Sequence, residues 1–92
     1  MNRKIVVPKP VSTAIGSFGL PRELVNRLLS QLHNEVQRDY ERFRHFRLID
    51  ERMYRHRLLI RTDGGKHLFT FAIDDTTSPE LLVIVGVVYD KE

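Results

Sequence analysis

MYRHRLLIRTDGGKHLFTFAI, residues 53–73 of this 92-residue chain, alternates polar and apolar side chains on both sides of a glycine pair. A glycine pair, or glycine after aspartate, between two alternating segments is the strongest short-range signal for a β-hairpin. We therefore predict a two-residue turn at Gly64-Gly65, with Asp63 opposite Lys66. A turn at Asp63-Gly64 would change the cross-strand partners but leave every side chain on the same face.

This hairpin should have one apolar and one basic face, because successive strand residues point to opposite sides of a sheet. The apolar face has the predicted pairs Ile60 with Phe69, Leu58 with Phe71, and His56 with Ile73. The other face carries Arg55, Arg57, Leu59 and Arg61 opposite Ala72, Thr70 and Leu68. Its three arginines make it a candidate binding surface, to which Lys66 would add a fourth cation.

The segment before the hairpin predicts a short strand, a short helical stretch and a long helix. Lys4 to Val7 is apolar and is followed by two prolines, which predicts a strand at a sheet edge. Glycine and serine residues between Val11 and Leu20 favour only a turn or two of helix around Ala14-Ile15. The long helix should run from Pro21 to about Arg42, because apolar residues there recur at spacings of three and four.

The segment after the hairpin predicts one more strand. Leu81 to Tyr89 is almost continuously apolar and rich in β-branched residues, which is typical of a central strand covered on both faces. The polar connector Asp74 to Glu80 should end the preceding strand. We predict an α+β domain over residues 1–92, in the order β-α-α-β-β-β, with one long and one short helix on one face of a small, mostly antiparallel sheet.

Composition favours a cytoplasmic protein with an anionic partner. The chain has no cysteine and no apolar run near the roughly 18 residues that span a membrane, so neither disulfides nor membrane insertion is expected. Residues 38–67 hold nine Lys/Arg against five Asp/Glu, whereas residues 68–92 hold one against five. A basic middle suggests nucleic acid or an acidic protein segment as partner, and a merely solvated basic face is the alternative.

Three features of the sequence form one pattern: the element order, Tyr54-Arg55-His56-Arg57 at the start of a strand, and a final apolar strand ending at Tyr89. In this pattern the chain resembles the RelE/ParE toxin superfamily of bacterial toxin-antitoxin systems. The resemblance implies a sheet face that meets ribosome-bound messenger RNA in the RelE branch or gyrase in the ParE branch. It also implies an antitoxin protein that wraps the toxin.

Departures from the family bear on catalysis. The family's last strand commonly has a His-Arg pair before its aromatic residue, but Gly86, Val87 and Val88 precede Tyr89 here. Cleavage through the 2′-hydroxyl needs a base and a proton donor as well as cations. Arg55, Arg57, Arg61 and Lys66 could supply the cations. The base would have to be a phenol, Tyr89 or Tyr54, with a strongly lowered pKa. We therefore expect RNA cleavage to be weak or absent.

The sequence shows no residue pattern that predicts a metal or cofactor site. The four histidines include no pair at i and i+4, and the hairpin places His56 and His67 at opposite ends of one face. His56 is expected to be a hydrogen-bonded residue at the margin of the core. Two functions remain: a RelE/ParE-like toxin acting on RNA, the ribosome or gyrase, and a non-catalytic α+β module that binds a protein or nucleic acid.

Overall fold

Four strands and two helices follow one another in the predicted order, so the α+β assignment and the order β-α-α-β-β-β are confirmed. The computed structural model describes residues 4–43 and 53–91, with the side chains of residues 39, 41–43, 53 and 54 left out. The elements are β1 (Lys4–Val6), α1 (Lys9–Ser17), α2 (Arg22–Phe43), β2 (Met53–Thr62), β3 (Gly65–Asp74) and β4 (Leu81–Lys91).

The sheet has the strand order β1-β4-β3-β2, and both helices pack on one of its faces, where they share one core cluster with it. Strands β2, β3 and β4 are antiparallel neighbours, whereas β1 is parallel to β4. The short strand β1 lies at the edge of the sheet, as its prolines predicted. It ends before Pro8, and Pro10 falls in the first turn of α1, where a missing N–H costs little.

The hairpin turn lies at Asp63-Gly64, one residue earlier than the predicted turn at Gly64-Gly65. Thr62 pairs with Gly65, and Gly65 has a φ of 129°, a conformation that residues with a side chain rarely adopt. The position that requires glycine is thus the first residue of β3, not the turn itself. The partners shift accordingly: Ile60 pairs with His67, Leu58 with Phe69, and His56 with Phe71. The two faces are unchanged.

Strand β4 contains an irregularity in its pairing with β3. Ala72 pairs with Gly86 and Ile73 with Ile84, which leaves Val85 as an extra residue, a β-bulge. Before the bulge, Ile84 is buried in the core. After it, the side chains that pack on the core are Val87 and Tyr89. The bulge therefore reverses which residues of β4 point toward the helices.

The outer face of the sheet, opposite the helices, is exposed at β4. Val88 is 60% exposed and Val85 45% exposed. The expectation that β4 is covered on both faces was therefore wrong. The physical reason is that both helices pack on the same side, so the apolar run lies in the interior of the sheet without being covered on its outer side.

The core lies between the helices and the inner face of the sheet. Leu28, Leu32 and Val36 of α2 are buried there, as the spacing of the apolar residues predicted, and Leu29 packs half-buried at its margin. The sheet contributes Leu58, Ile60, Phe69, Phe71, Ile73, Leu82 and Ile84. No helix within residues 4–43 and 53–91 combines the length and the hydropathy needed to cross a membrane.

Asp74 and Asp75 end β3, as predicted, and then have different roles. Asp74 Oδ1 accepts hydrogen bonds from the Thr76 hydroxyl at 2.6 Å and the Thr76 N–H at 2.7 Å, and both lower the pKa of Asp74. The stability that this turn contributes is present above the ordinary carboxyl pKa of 3.8 and is lost as the pH falls through the lowered value. Asp75 is buried and accepts from Tyr40.

Replacing either of two glycines near the end of α1 with alanine should change the free energy of unfolding, in opposite directions. Gly16 lies within the helix, and a Cβ there would meet nothing within 4 Å. Gly16→Ala should therefore raise the free energy of unfolding by about 0.5–1 kcal/mol. Gly19 has a φ of 70°, so Gly19→Ala should lower it by about 1–2 kcal/mol. Urea unfolding of both variants measures the difference, and changes of the same sign would contradict these backbone assignments.

Candidate functional site

The outer face carries a row of exposed cations along the edge strand of the sheet. Arg55, Arg57 and Arg61 lie on β2, and Lys66 lies directly opposite Arg61 on β3. At the ordinary strand rise the row from Arg55 to Arg61 is about 20 Å long. Within the described ranges 4–43 and 53–91, none of these four side chains forms an ion pair with a carboxylate. The structure thus brings together all four predicted binding residues.

An apolar strip runs beside these cations on the same outer face. Leu59 is 39% exposed and pairs with Leu68, and Val88 lies further across the sheet, opposite Thr70. Asp90 is also on this face, opposite Leu68, and β3 separates it from the arginines of β2. The outer face can therefore offer a partner both positive charge and apolar contact.

Tyr89, the predicted catalytic candidate, does not lie with the cations. Its ring packs against Phe69 at 5.0 Å and Phe18 at 5.3 Å between ring centroids, on the side of the sheet that faces the helices. A phosphorane stabilised by the arginines would therefore lie on the opposite face from the Tyr89 hydroxyl. The side chain of Tyr54, the other phenol considered as a base, lies outside the described part of the structure.

Tyr89 instead belongs to a chain of hydrogen bonds at the hairpin end of the sheet. Thr62 Oγ1 donates to the Gly65 carbonyl at 3.3 Å and lies 3.2 Å from His67 Nε2. His67 Nδ1 lies 2.6 Å from the Tyr89 hydroxyl oxygen. In the neutral tautomer with its proton on Nε2, His67 donates to Thr62 and accepts from Tyr89, which leaves the Tyr89 oxygen able to accept from a further donor.

This hydrogen-bond chain borders a cleft of about 680 Å³ between the helices and the hairpin turn. Arg27 of α2 crosses toward the hairpin and donates from Nη1 to the Arg61 carbonyl at 3.3 Å. The cleft is lined by Phe18, Gly19, Leu20, Pro21, Glu23, Leu24, Arg27, Thr62, Asp63, Gly64, His67, Tyr89 and Lys91. It is therefore a partly apolar site with charged groups of both signs.

The pairing of His67 with Tyr89 was not predicted from the sequence. Strict alternation from the buried residues Leu82 and Ile84 would put Tyr89 on the outer face, and only the bulge at Val85 turns it inward. The one available signal was Gly86 inside an otherwise apolar strand, because an isolated glycine in a strand often marks a bulge.

His56 is a buried structural residue, as expected. It is 3% exposed, and its Nε2 lies 3.2 Å from Glu35 Oε1 of α2. Glu35 Oε2 in turn accepts from Gln31 at 2.8 Å. This group of polar side chains joins α2 to β2 and faces away from the outer cations.

No group of three or more His, Cys, Asp or Glu side chains within residues 4–43 and 53–91 is arranged to hold a metal ion. No protein-family model, curated protein or solved structure matches this chain.

Proposed function

We propose that this protein binds RNA through the outer face of its sheet. The observation that carries the proposal is the row of four exposed cations, Arg55, Arg57, Arg61 and Lys66, on one open face without ionic partners in the described structure. Guanidinium groups match the geometry of phosphate oxygens and bind them through paired hydrogen bonds. A strand holds its side chains at a fixed spacing, so the phosphates of one RNA chain can be contacted in series.

The proposed role is binding rather than efficient cleavage. The cations and the Tyr89 hydroxyl lie on opposite faces of the sheet, so they cannot act on one phosphate in this arrangement. The resemblance to RelE/ParE toxins supplies the proposed biological setting, in which RNA on the ribosome is the target and an antitoxin covers the toxin. Binding alone would then slow translation.

The salt dependence of RNA binding tests the proposal. A fluorescent single-stranded RNA is titrated with the wild-type protein at several salt concentrations, and the logarithm of the association constant is plotted against that of the salt concentration. Four phosphate contacts should give a slope of about −3, because each contact contributes about −0.7 with single strands. Arg57→Ala should weaken binding and flatten the slope by about 0.7 to 1.

Arg22→Ala is the matched control, because it removes the same charge from an exposed position at the start of α2, on the helix side of the sheet. It should leave the slope unchanged. Growth on inducible expression provides a second measurement, in which Arg57→Ala should relieve any arrest and Arg22→Ala should not. Equal, salt-insensitive curves for all three proteins would show that the face is merely solvated.

A protein partner is the second candidate, and the exposed apolar strip favours it. Leu59 and Val88 could anchor an acidic segment such as an antitoxin, or a surface of gyrase, beside the arginines. Apolar anchors keep their contribution in moderate salt, whereas phosphate contacts do not. A complex that survives such salt and weakens with Leu59→Ser would favour the protein partner over RNA.

A further inference from the structure

We propose that the cleft at the hairpin end holds an unstacked nucleobase of a bound single-stranded RNA. The proposal rests on the RNA-binding function inferred above and adds a base site to the phosphate-binding face. It assigns the substrate class as single-stranded rather than duplex RNA, because only an unpaired base can leave its stack and enter a cleft.

The cleft has the size and lining of a small-molecule site. Its volume of about 680 Å³ lies within the roughly 300–1,000 Å³ of typical ligand pockets. Phe18 and Tyr89 supply aromatic rings, and Leu20 and Leu24 supply aliphatic surface. Aromatic side chains are the usual partners of splayed RNA bases.

The polar groups of the cleft suit the edge of a base. The Tyr89 oxygen can accept a hydrogen bond from a base when its own proton is directed to His67 Nδ1, 2.6 Å away. Asp63 is a second acceptor, while Arg27 and Lys91 are donors that line the same cleft. A nucleobase carries donors and acceptors side by side on its edge, so it can use both kinds of group.

The hairpin turn connects the cleft to the outer cations. Thr62, Asp63 and Gly64 line the cleft and lie in sequence between Arg61 and Lys66, which pair on the outer face. An RNA strand that crosses the turn could place a phosphate on Arg61 and Lys66 and the neighbouring base in the cleft. One RNA strand would then make both contacts.

The outer face itself offers little for base recognition. Among its described residues it carries arginine, lysine, aliphatic, threonine and aspartate side chains but no aromatic ring. Stacking on aromatic rings contributes about 1–3 kcal/mol per base in proteins that bind single strands. The rings that could supply it from this end of the sheet are in the cleft.

Free adenosine and uridine test the cleft without the phosphates. Each is titrated into the protein and followed by NMR, with L-phenylalanine as a ring-bearing ligand that lacks a base edge. Saturable shifts at Phe18, His67 and Tyr89 are expected with at least one nucleoside. Phe18→Leu should weaken that binding by roughly tenfold. Tyr89→Phe should weaken it by roughly two- to tenfold, since it keeps the ring and removes the hydroxyl.

Arg57→Ala and Arg22→Ala should not change nucleoside binding, because both lie outside the cleft. Thermal unfolding by circular dichroism confirms that each variant is folded, and Tyr89→Phe remains informative if Phe18→Leu is unstable. Equal binding of L-phenylalanine would overturn the assignment of the cleft to a base. Absence of nucleoside binding at millimolar concentration would also overturn it.

Abasic RNA separates this inference from the proposed function. The inference expects the abasic strand to bind more weakly than intact RNA of the same length, with the Arg57-dependent salt slope retained. If both strands bind equally and keep that slope, the outer face binds RNA and the cleft assignment fails. If no RNA binds but a nucleoside does, the RNA-binding function fails and the cleft stands as a nucleobase site.

Discussion

Replacing Leu32 with alanine is expected to lower the free energy of unfolding by about 2–5 kcal/mol. Leu32 is 0% exposed, at the centre of the apolar stripe of α2 and within the core that joins both helices to the sheet. The expected loss is the sum of the transfer free energy of the removed side-chain carbons and the cost of the cavity that they leave. The free energy of unfolding of a small domain is only about 5–15 kcal/mol in total, so the midpoint of urea unfolding should fall markedly.

Leu59→Ala is the matched control for that change. It makes the same substitution at a position that is 39% exposed, on the outer face of the sheet. Surface substitutions of this kind usually change stability by about 0.5 kcal/mol or less. Equal losses at the two positions would mean that the outer face is covered in solution or that α2 packs differently.

After Leu32→Ala, Tyr40→Phe should produce the next largest loss in the free energy of unfolding among the variants considered, about 1–3 kcal/mol. Tyr40 is buried, and its hydroxyl donates to Asp75 Oδ2 at 2.7 Å, which ties the last part of α2 to the loop after β3. Phenylalanine keeps the ring and deprives a buried carboxylate of this donor. Thermal and urea unfolding of the variant measure the loss.

Tyr89→Phe provides the comparison for Tyr40→Phe. It removes a hydroxyl that also has a short hydrogen bond, to His67 at 2.6 Å, but from a half-buried ring at the edge of a cleft. Water can reach that site and replace part of the lost bond, so the effect should be smaller. A larger loss at Tyr89 than at Tyr40 would show that burial does not set the cost of these hydrogen bonds.

The fold was predictable from sequence because its strongest signals are local. Alternation sorts the described hairpin side chains, residues 55–73, correctly even though the turn was predicted one residue late. Moving the turn by one residue shifts every cross-strand partner by two positions, which leaves the faces unchanged. The spacing of apolar residues in α2 likewise identified Leu28, Leu32 and Val36 as core. The exposure of β4 was not predictable in the same way, because a continuous apolar run does not record which face the helices cover.

For the same physical reason, only part of the candidate site could be predicted from the sequence. The four cations follow from the alternation of a regular hairpin, so their common face could be derived from residue numbers alone. The cleft depends on the meeting of Phe18, Thr62, His67 and Tyr89, which come from separate elements. Such a meeting depends on where the helices pack and on the bulge in β4. No periodic pattern of the sequence indicates either of them.

One extra residue, Val85, determines which chemistry the last strand can present. If β4 paired regularly with Val85 in place, strict alternation would turn Tyr89 to the side of the sheet that carries the arginines. Deleting Val85 would instead remove the bulge and keep Tyr89 toward the helices, because Ile84 and Tyr89 would then be an even number of residues apart. The same residues therefore have two arrangements that differ only by the bulge: in one the phenol faces a cleft, and in the other it shares a surface with the arginines of β2.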